Sequence, residues 1–122
     1  MKICITARGE TLESAVDPRF GRCAYFIIVD PETMEFECIA NAAAKSGGGA
    51  GIQAGQMMSE KGVKAVLTGN VGPNAFKTLQ TAGIDIITGI GGTVADATAR
   101  YIKGEVTPSS AATVESHFGA KG

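Results

Sequence analysis

Lys64-Ala65-Val66-Leu67-Thr68-Gly69-Asn70-Val71-Gly72-Pro73-Asn74-Ala75-Phe76-Lys77-Thr78-Leu79-Gln80-Thr81-Ala82-Gly83 is the stretch that decides the fold. A short apolar run, Ala65-Val66-Leu67, ends in glycines, and Pro73 stands where a helix tolerates a missing N–H. Phe76, Leu79 and Ala82 then fall on one helical face, and Gly83 follows as the stop. This is one strand–helix unit, and it has neighbours on both sides. Upstream, a helix over about Ala50–Lys61 closes at Gly62. Downstream, a strand at Ile84–Thr88 ends in Gly89-Ile90-Gly91-Gly92. Thr93 is placed to cap a further helix, with Asp96 three residues on in a variant capping box. That helix runs to about Lys103 and stops at Gly104. Such alternation requires parallel crossovers with helices on the sheet faces.

The N-terminal third reads differently. Lys2–Ala7 is a short alternating strand, and Ala24–Val29 is a near-continuous apolar run of the kind covered on both faces. Asp30-Pro31-Glu32-Thr33 is turn chemistry. Met34–Ala40 returns with period 2, putting Met34, Phe36, Cys38 and Ala40 on one face, so the two runs form a hairpin. The order is β-β-β-α-β-α-β-α, an α/β three-layer domain with a mixed five-stranded sheet and helices on both faces. We read residues 1–104 as this domain and residues 105–122 as a flexible or loosely docked tail, since Thr107–Gly122 is Ser/Thr/Ala/Gly-rich without a period.

Composition narrows the function classes. The 122 residues carry 11 Lys+Arg against 12 Asp+Glu, a net charge of −1, so no global field draws nucleic acid. Trp is absent and only two Tyr occur, which also removes a stacking platform for single strands. A hydrophobic share of 44% excludes a disordered chain. No apolar run is long enough to span a membrane and the N-terminus lacks a signal-peptide layout, so a cytoplasmic protein is expected. Three cysteines, with no Cys-x-x-Cys, argue against a disulfide framework or a structural zinc site.

The excess is in glycine, 17 residues, about twice average usage. Gly62, Gly83 and Gly104 follow helices. Three clusters remain: Gly47-Gly48-Gly49 with Gly51, Gly69 with Gly72, and Gly89 with Gly91-Gly92. Each precedes a helix, and in parallel α/β units such connections meet at the C-terminal edge of the sheet, where ligands bind. Glycine there lets a ligand approach the backbone, and helix N-termini offer N–H groups to anions. Alternatively, the loops simply need positive φ. Gly49-Ala50-Gly51-Ile52-Gln53-Ala54 matches the relaxed dinucleotide pattern, but no strand immediately precedes it and no acidic residue sits about 20 positions on.

Arg8 to Cys23 is a long connection with little helical period, and such connections tend to be functional. It carries Asp17-Pro18-Arg19-Phe20-Gly21-Arg22-Cys23. The two arginines suit a multiply charged anion, or else form a solvated basic loop anchored by Phe20. Cys4 and Cys38 lie within strands and read as small buried hydrophobes. Cys23, beside Arg19 and Arg22, sits where thiolate is favoured and is the one cysteine that reads as functional. Of the adjacent Met57 and Met58, one is expected in the core while the other could line a pocket. His117 reads as an exposed tail residue.

Asp17–Phe26, the glycine-rich lead into the first helix, and Thr68–Phe76 resemble the dinitrogenase iron–molybdenum cofactor biosynthesis family over about Met1–Gly104. The resemblance implies a ribonuclease H-like fold and a protein that binds, stores or carries an anionic metal–sulfur cluster. That cluster would be a Mo–Cu sulfide cluster (Mo, Cu and inorganic sulfide) or iron–molybdenum cofactor or a precursor. Many members carry His-Phe-Gly where this chain has Arg19-Phe20-Gly21, so imidazole ligation there is replaced by charge neutralisation. The implied site comprises Arg19, Phe20, Gly21, Arg22, Cys23, Gly48, Gly49, Ile52, Met57, Asn70, Val71, Gly72 and Phe76. Cys23 is its one candidate direct metal ligand, and Val71, Phe76, Ile52 and a methionine form the apolar wall. The expected protein is a monomer with protein partners in a larger complex, and not an enzyme. A nuclease of this fold would need clustered carboxylates, one on the first strand, and Lys2-Ile3-Cys4-Ile5-Thr6 has none. The alternative is an interaction or regulatory module with the glycine loops as its docking face.

Overall fold

The computed structural model describes residues 1–42 and 49–113. Its elements run β1 (Lys2–Ala7), β2 (Tyr25–Val29), β3 (Phe36–Ala40), α1 (Ala50–Glu60), β4 (Val63–Leu67), α2 (Pro73–Thr81), β5 (Asp85–Ile87) and α3 (Val94–Ile102). The five strands form one sheet in the order β3-β2-β1-β4-β5. β1 is central. It pairs antiparallel with β2 (Cys4 opposite Ile28) and parallel with β4 (Cys4 opposite Val66), and β4 pairs parallel with β5.

Each inner strand feeds both faces, which is why these strands read as apolar runs rather than alternations. Cys4, Phe26, Ile28, Val66 and Ile86 point toward α1 and α2, where they meet Ala54, Met58, Ala75 and Leu79. Ile3, Ile5, Ile27, Val29, Leu67 and Ile87 point the other way and meet Val94 and Ala97 of α3. The expected three layers and element order are present. β3 is the exposed edge, and it starts two residues later than the period-2 pattern implies. Met34 has φ 64 and belongs to the turn, its N–H donating to Asp30 O at 2.7 Å.

Small residues of α1 and α2 face each other. A Cβ on Gly51 would stand 2.9 Å from Ala75 Cβ, and one on Gly55 would stand 2.7 Å from Thr78 Cγ2. The dinucleotide-like run at Gly49–Ala54 is therefore accounted for by helix packing, with its second glycine filled by Ala75. The helix-end glycines Gly62, Gly83 and Gly104 take positive φ (73°, 74° and 72°), as C-terminal stops do.

Candidate functional site

The long first connection divides into two halves with different destinations. Residues 8–16 close over α3. Val16 N donates to Gly92 O at 2.9 Å, Val94 N donates to Ser14 O at 2.9 Å, and Ala95 N donates to Leu12 O at 2.8 Å. Thr93 and Asp96 complete the expected capping box, each side chain accepting from the other's backbone N–H at 3.1 Å. The first-turn amides of α3 are thus taken up by the chain itself.

Residues 17–23 run to the other two helix starts. Arg19 bridges Asn70 in parallel, with Phe20 N donating to Asn70 O at 3.1 Å and Asn70 N donating to Pro18 O at 2.7 Å. Gly69 makes the close approach possible: a Cβ there would lie 2.6 Å from Pro18 Cα. Gly21, at φ 91, stands against the start of α1, where a Cβ would lie 2.9 Å from Gly51 Cα. Asn41, which no local pattern in the sequence marks, holds this half from behind. Its Nδ2 donates to Gly21 O and Cys23 O, each at 2.9 Å.

The arginine-bearing loop therefore stands beside the N-termini of α1 and α2, at the C-terminal edge of the parallel strands. Among the described residues neither helix start has a side-chain cap, and neither first turn holds an acidic residue. Gly49, the α1 N-cap, is exposed at φ 75 with open space where a Cβ would be. Arg19 is held by Asp17, whose Oδ1 accepts from Arg19 N at 3.0 Å and faces Nε at 3.5 Å. Asp17 is buried while the Arg19 side chain is 45% exposed, so the anchor is fixed and the remaining guanidinium donors face outward.

Several expectations need correction. Gly51 and Gly69 do not open backbone to a ligand, because Ala75 and Pro18 occupy that space. Val71, Phe76 and Phe20 are buried core residues, Phe20 resting on Phe26 with centroids 5.9 Å apart. Of the expected apolar wall, exposed Ile52 and half-buried Met57 reach the surface, and Met58 is the core methionine. The thiolate expectation for Cys23 fails. The side chain is fully buried, and burial first, then the Asp17 carboxylate, pushes its thiol up to about 12. The neighbouring arginines are close in sequence, but the carboxylate is what acts on the sulfur. Burial raises Cys4 as well, and Cys23 adds to the shift. Gly47, Gly48 and His117 lie outside the described residues.

Among the described residues, no three His, Cys, Asp or Glu side chains come together to hold a metal ion. What the edge offers is main-chain N–H and guanidinium donors, a set suited to an anion bound through its outer atoms. No helix among the described residues is long and apolar enough to cross a membrane.

A profile described as "Dinitrogenase iron-molybdenum cofactor" matches residues 1–104. The chain belongs to this family. As a member of the dinitrogenase iron–molybdenum cofactor family it is also similar to solved structures. The apo orange protein from Desulfovibrio gigas is 41% identical at a TM-score of 0.89, over 93% of this chain and 96% of that one. A Thermotoga protein described as a candidate NifB protein of the DUF35 family is 35% identical at 0.80, over 93% and 97%. An uncharacterized Methanocaldococcus jannaschii protein is 35% identical over 74 residues, and the match spans 63% of that protein's length.

Proposed function

We propose that this protein binds, stores or carries an anionic metal–sulfur cluster, of Mo–Cu sulfide or iron–molybdenum cofactor type, held without covalent bonds at the C-terminal edge of the sheet. One observation carries the reading: the loop bearing Arg19 and Arg22 converges on the two helix starts that lack side-chain caps among the described residues, while the third start is closed by its own chain. Terminal sulfides of such a cluster are acceptors. Arg19 and the first-turn amides of α1 and α2 supply donors and positive potential. The burial of Cys23 supports holding by charge and amide donors over ligation by that thiol. The similarity to the orange protein and to the candidate NifB protein supports the same class of cargo. The reading includes a ribonuclease H-like relationship for the sheet, a domain of residues 1–104 with a C-terminal extension, and a cytoplasmic monomer that hands its cargo to protein partners rather than catalysing a reaction.

Anaerobic addition of Cu(I) and tetrathiomolybdate tests it. A chromophore of fixed stoichiometry is expected, with amide shifts at Gly49–Ile52 and Asn70–Phe76. Arg19→Ala should weaken retention by about tenfold, the loss of one charge-assisted hydrogen bond, with stability changed by no more than about 0.5 kcal/mol. A protein that stays colourless, with those amides unmoved, would rule the reading out.

A further inference from the structure

Beyond α3 the chain does not leave the domain. Val106 packs on the α3 side of the sheet, and Ser109 N then donates to Ile86 O of the edge strand β5 at 2.6 Å. The hydroxyls of Ser109 and Thr88 are also hydrogen-bonded, and Ala112 arrives on the opposite core, under α1 and α2. The segment is a strap that crosses from one face of the sheet to the other past β5. It ends on the candidate site. Thr113 N donates to Val71 O at 3.0 Å, Val71 N donates to Thr113 Oγ1 at 2.9 Å, and the same hydroxyl reaches Val71 O at 3.3 Å.

Val71 lies in the loop between β4 and α2. It follows Asn70, which receives the arginine-bearing segment, and precedes Gly72 and Pro73, which begin α2. Its side chain is buried, yet its main-chain N–H and C=O bond to Thr113, a residue that is itself exposed. The family match ends at residue 104, so this contact comes from outside the matched region.

We propose that Thr113 is a positioning residue for the site. By saturating both main-chain groups of Val71, it fixes the β4–α2 loop and thereby the direction in which the α2 N-terminus and Arg19 face a ligand. The ligand part rests on the cluster-binding reading above; the loop part does not. Because the bonds are made by an exposed residue, they belong to the low-stability end of the molecule and can open without unfolding it. By linkage, a ligand that needs the loop in this position must also tighten the strap.

The test uses the full chain with Thr113→Val, which keeps the shape and loses the hydroxyl, and Thr113→Ser, which keeps the hydroxyl. The expected result is that Thr113→Val exchanges the Val71 amide about tenfold faster than wild type and releases a cluster assembled from Cu(I) and tetrathiomolybdate about tenfold faster, each the scale of one lost hydrogen bond. Thr113→Ser should match wild type in both. Unchanged exchange in Thr113→Val would overturn the positioning role. Faster exchange with unchanged release would show a held loop that does not serve the site, and would overturn the proposal equally. A wild-type protein that takes up no thiomolybdate would refute the cluster reading, and the loop part would still stand or fall on the exchange data.

Discussion

The two halves of the first connection receive opposite treatment. Residues 8–16 give main-chain carbonyls to the first turn of α3, and Thr93 with Asp96 finishes the cap. Residues 17–23 lie against the starts of α1 and α2 and bring a guanidinium instead of a cap. A helix start either has its amides satisfied from within or presents them outward. Here one covalent segment does both between Arg8 and Cys23. Gly49 before α1 and Gly72 before α2 therefore mean something different from the glycines before α3, although all three clusters look alike in composition.

Substituting Gly69 should break this contrast most severely. A side chain there meets the backbone of Pro18, which cannot yield without moving the second half as a unit. Gly69→Val is expected to cost about 1–3 kcal/mol in urea unfolding. It should also abolish cluster uptake while the α3 amides keep their protection from exchange. Equal loss of protection at α3 would show that the halves are not independent.

Next in size is the titration of Cys23, on which the second half ends. Its thiol is raised from the ordinary value of about 8.5 to about 12, so the folded state holds the proton more tightly than the unfolded chain. The associated stability is fully present below about 8.5 and is lost as pH climbs toward 12. Urea midpoints should fall more steeply over this alkaline range in wild type than in Cys23→Ala, and coincident slopes would refute the assignment. In the native protein at about pH 8, just below the ordinary thiol range, half-exposed Cys38 should be alkylated before Cys23.

The smallest effects come from exchanging cap for no cap. Thr93→Ala removes the box from α3 and should cost about 1 kcal/mol, leaving cluster retention untouched. Gly72→Asp places a carboxylate at the extended N-cap of α2. It should stabilise the apo-protein by only a few tenths of a kcal/mol, about the difference between Asp and Gly at an N-cap, yet weaken retention of an anionic cluster severalfold. If Gly72→Asp holds the cluster as well as wild type does, α2 does not face it.

What could be read from the sequence follows the range of each interaction. The stops at Gly62, Gly83 and Gly104, and the pairing of Thr93 with Asp96, depend on neighbours within a few positions, and all are present. The partners of Gly51 and Gly69 are Ala75 and Pro18, and nothing local marks them. Cys23 shows the hazard of reading charge along the chain. Arg22 is adjacent in sequence, but the buried carboxylate of Asp17 sets the local field and ties down Arg19. The strap was illegible for another reason: it is held by hydrogen bonds from Ser109 and Thr113, which impose no hydrophobic period.

The position of β1 has a consequence for the order in which the molecule is made. Its pairing with β2 joins segments close in the chain, whereas its pairing with β4 waits for Val63–Leu67. During synthesis the antiparallel ribbon of β1, β2 and β3 can therefore form while the far edge of β1, carrying Ile3, Cys4 and Ile5, is still bare. An unpaired apolar strand edge is where nascent chains associate wrongly. For this protein that exposure lasts until β4 emerges. The arginine loop lacks the α2 start it must meet until later still, so the candidate site is among the last features to exist.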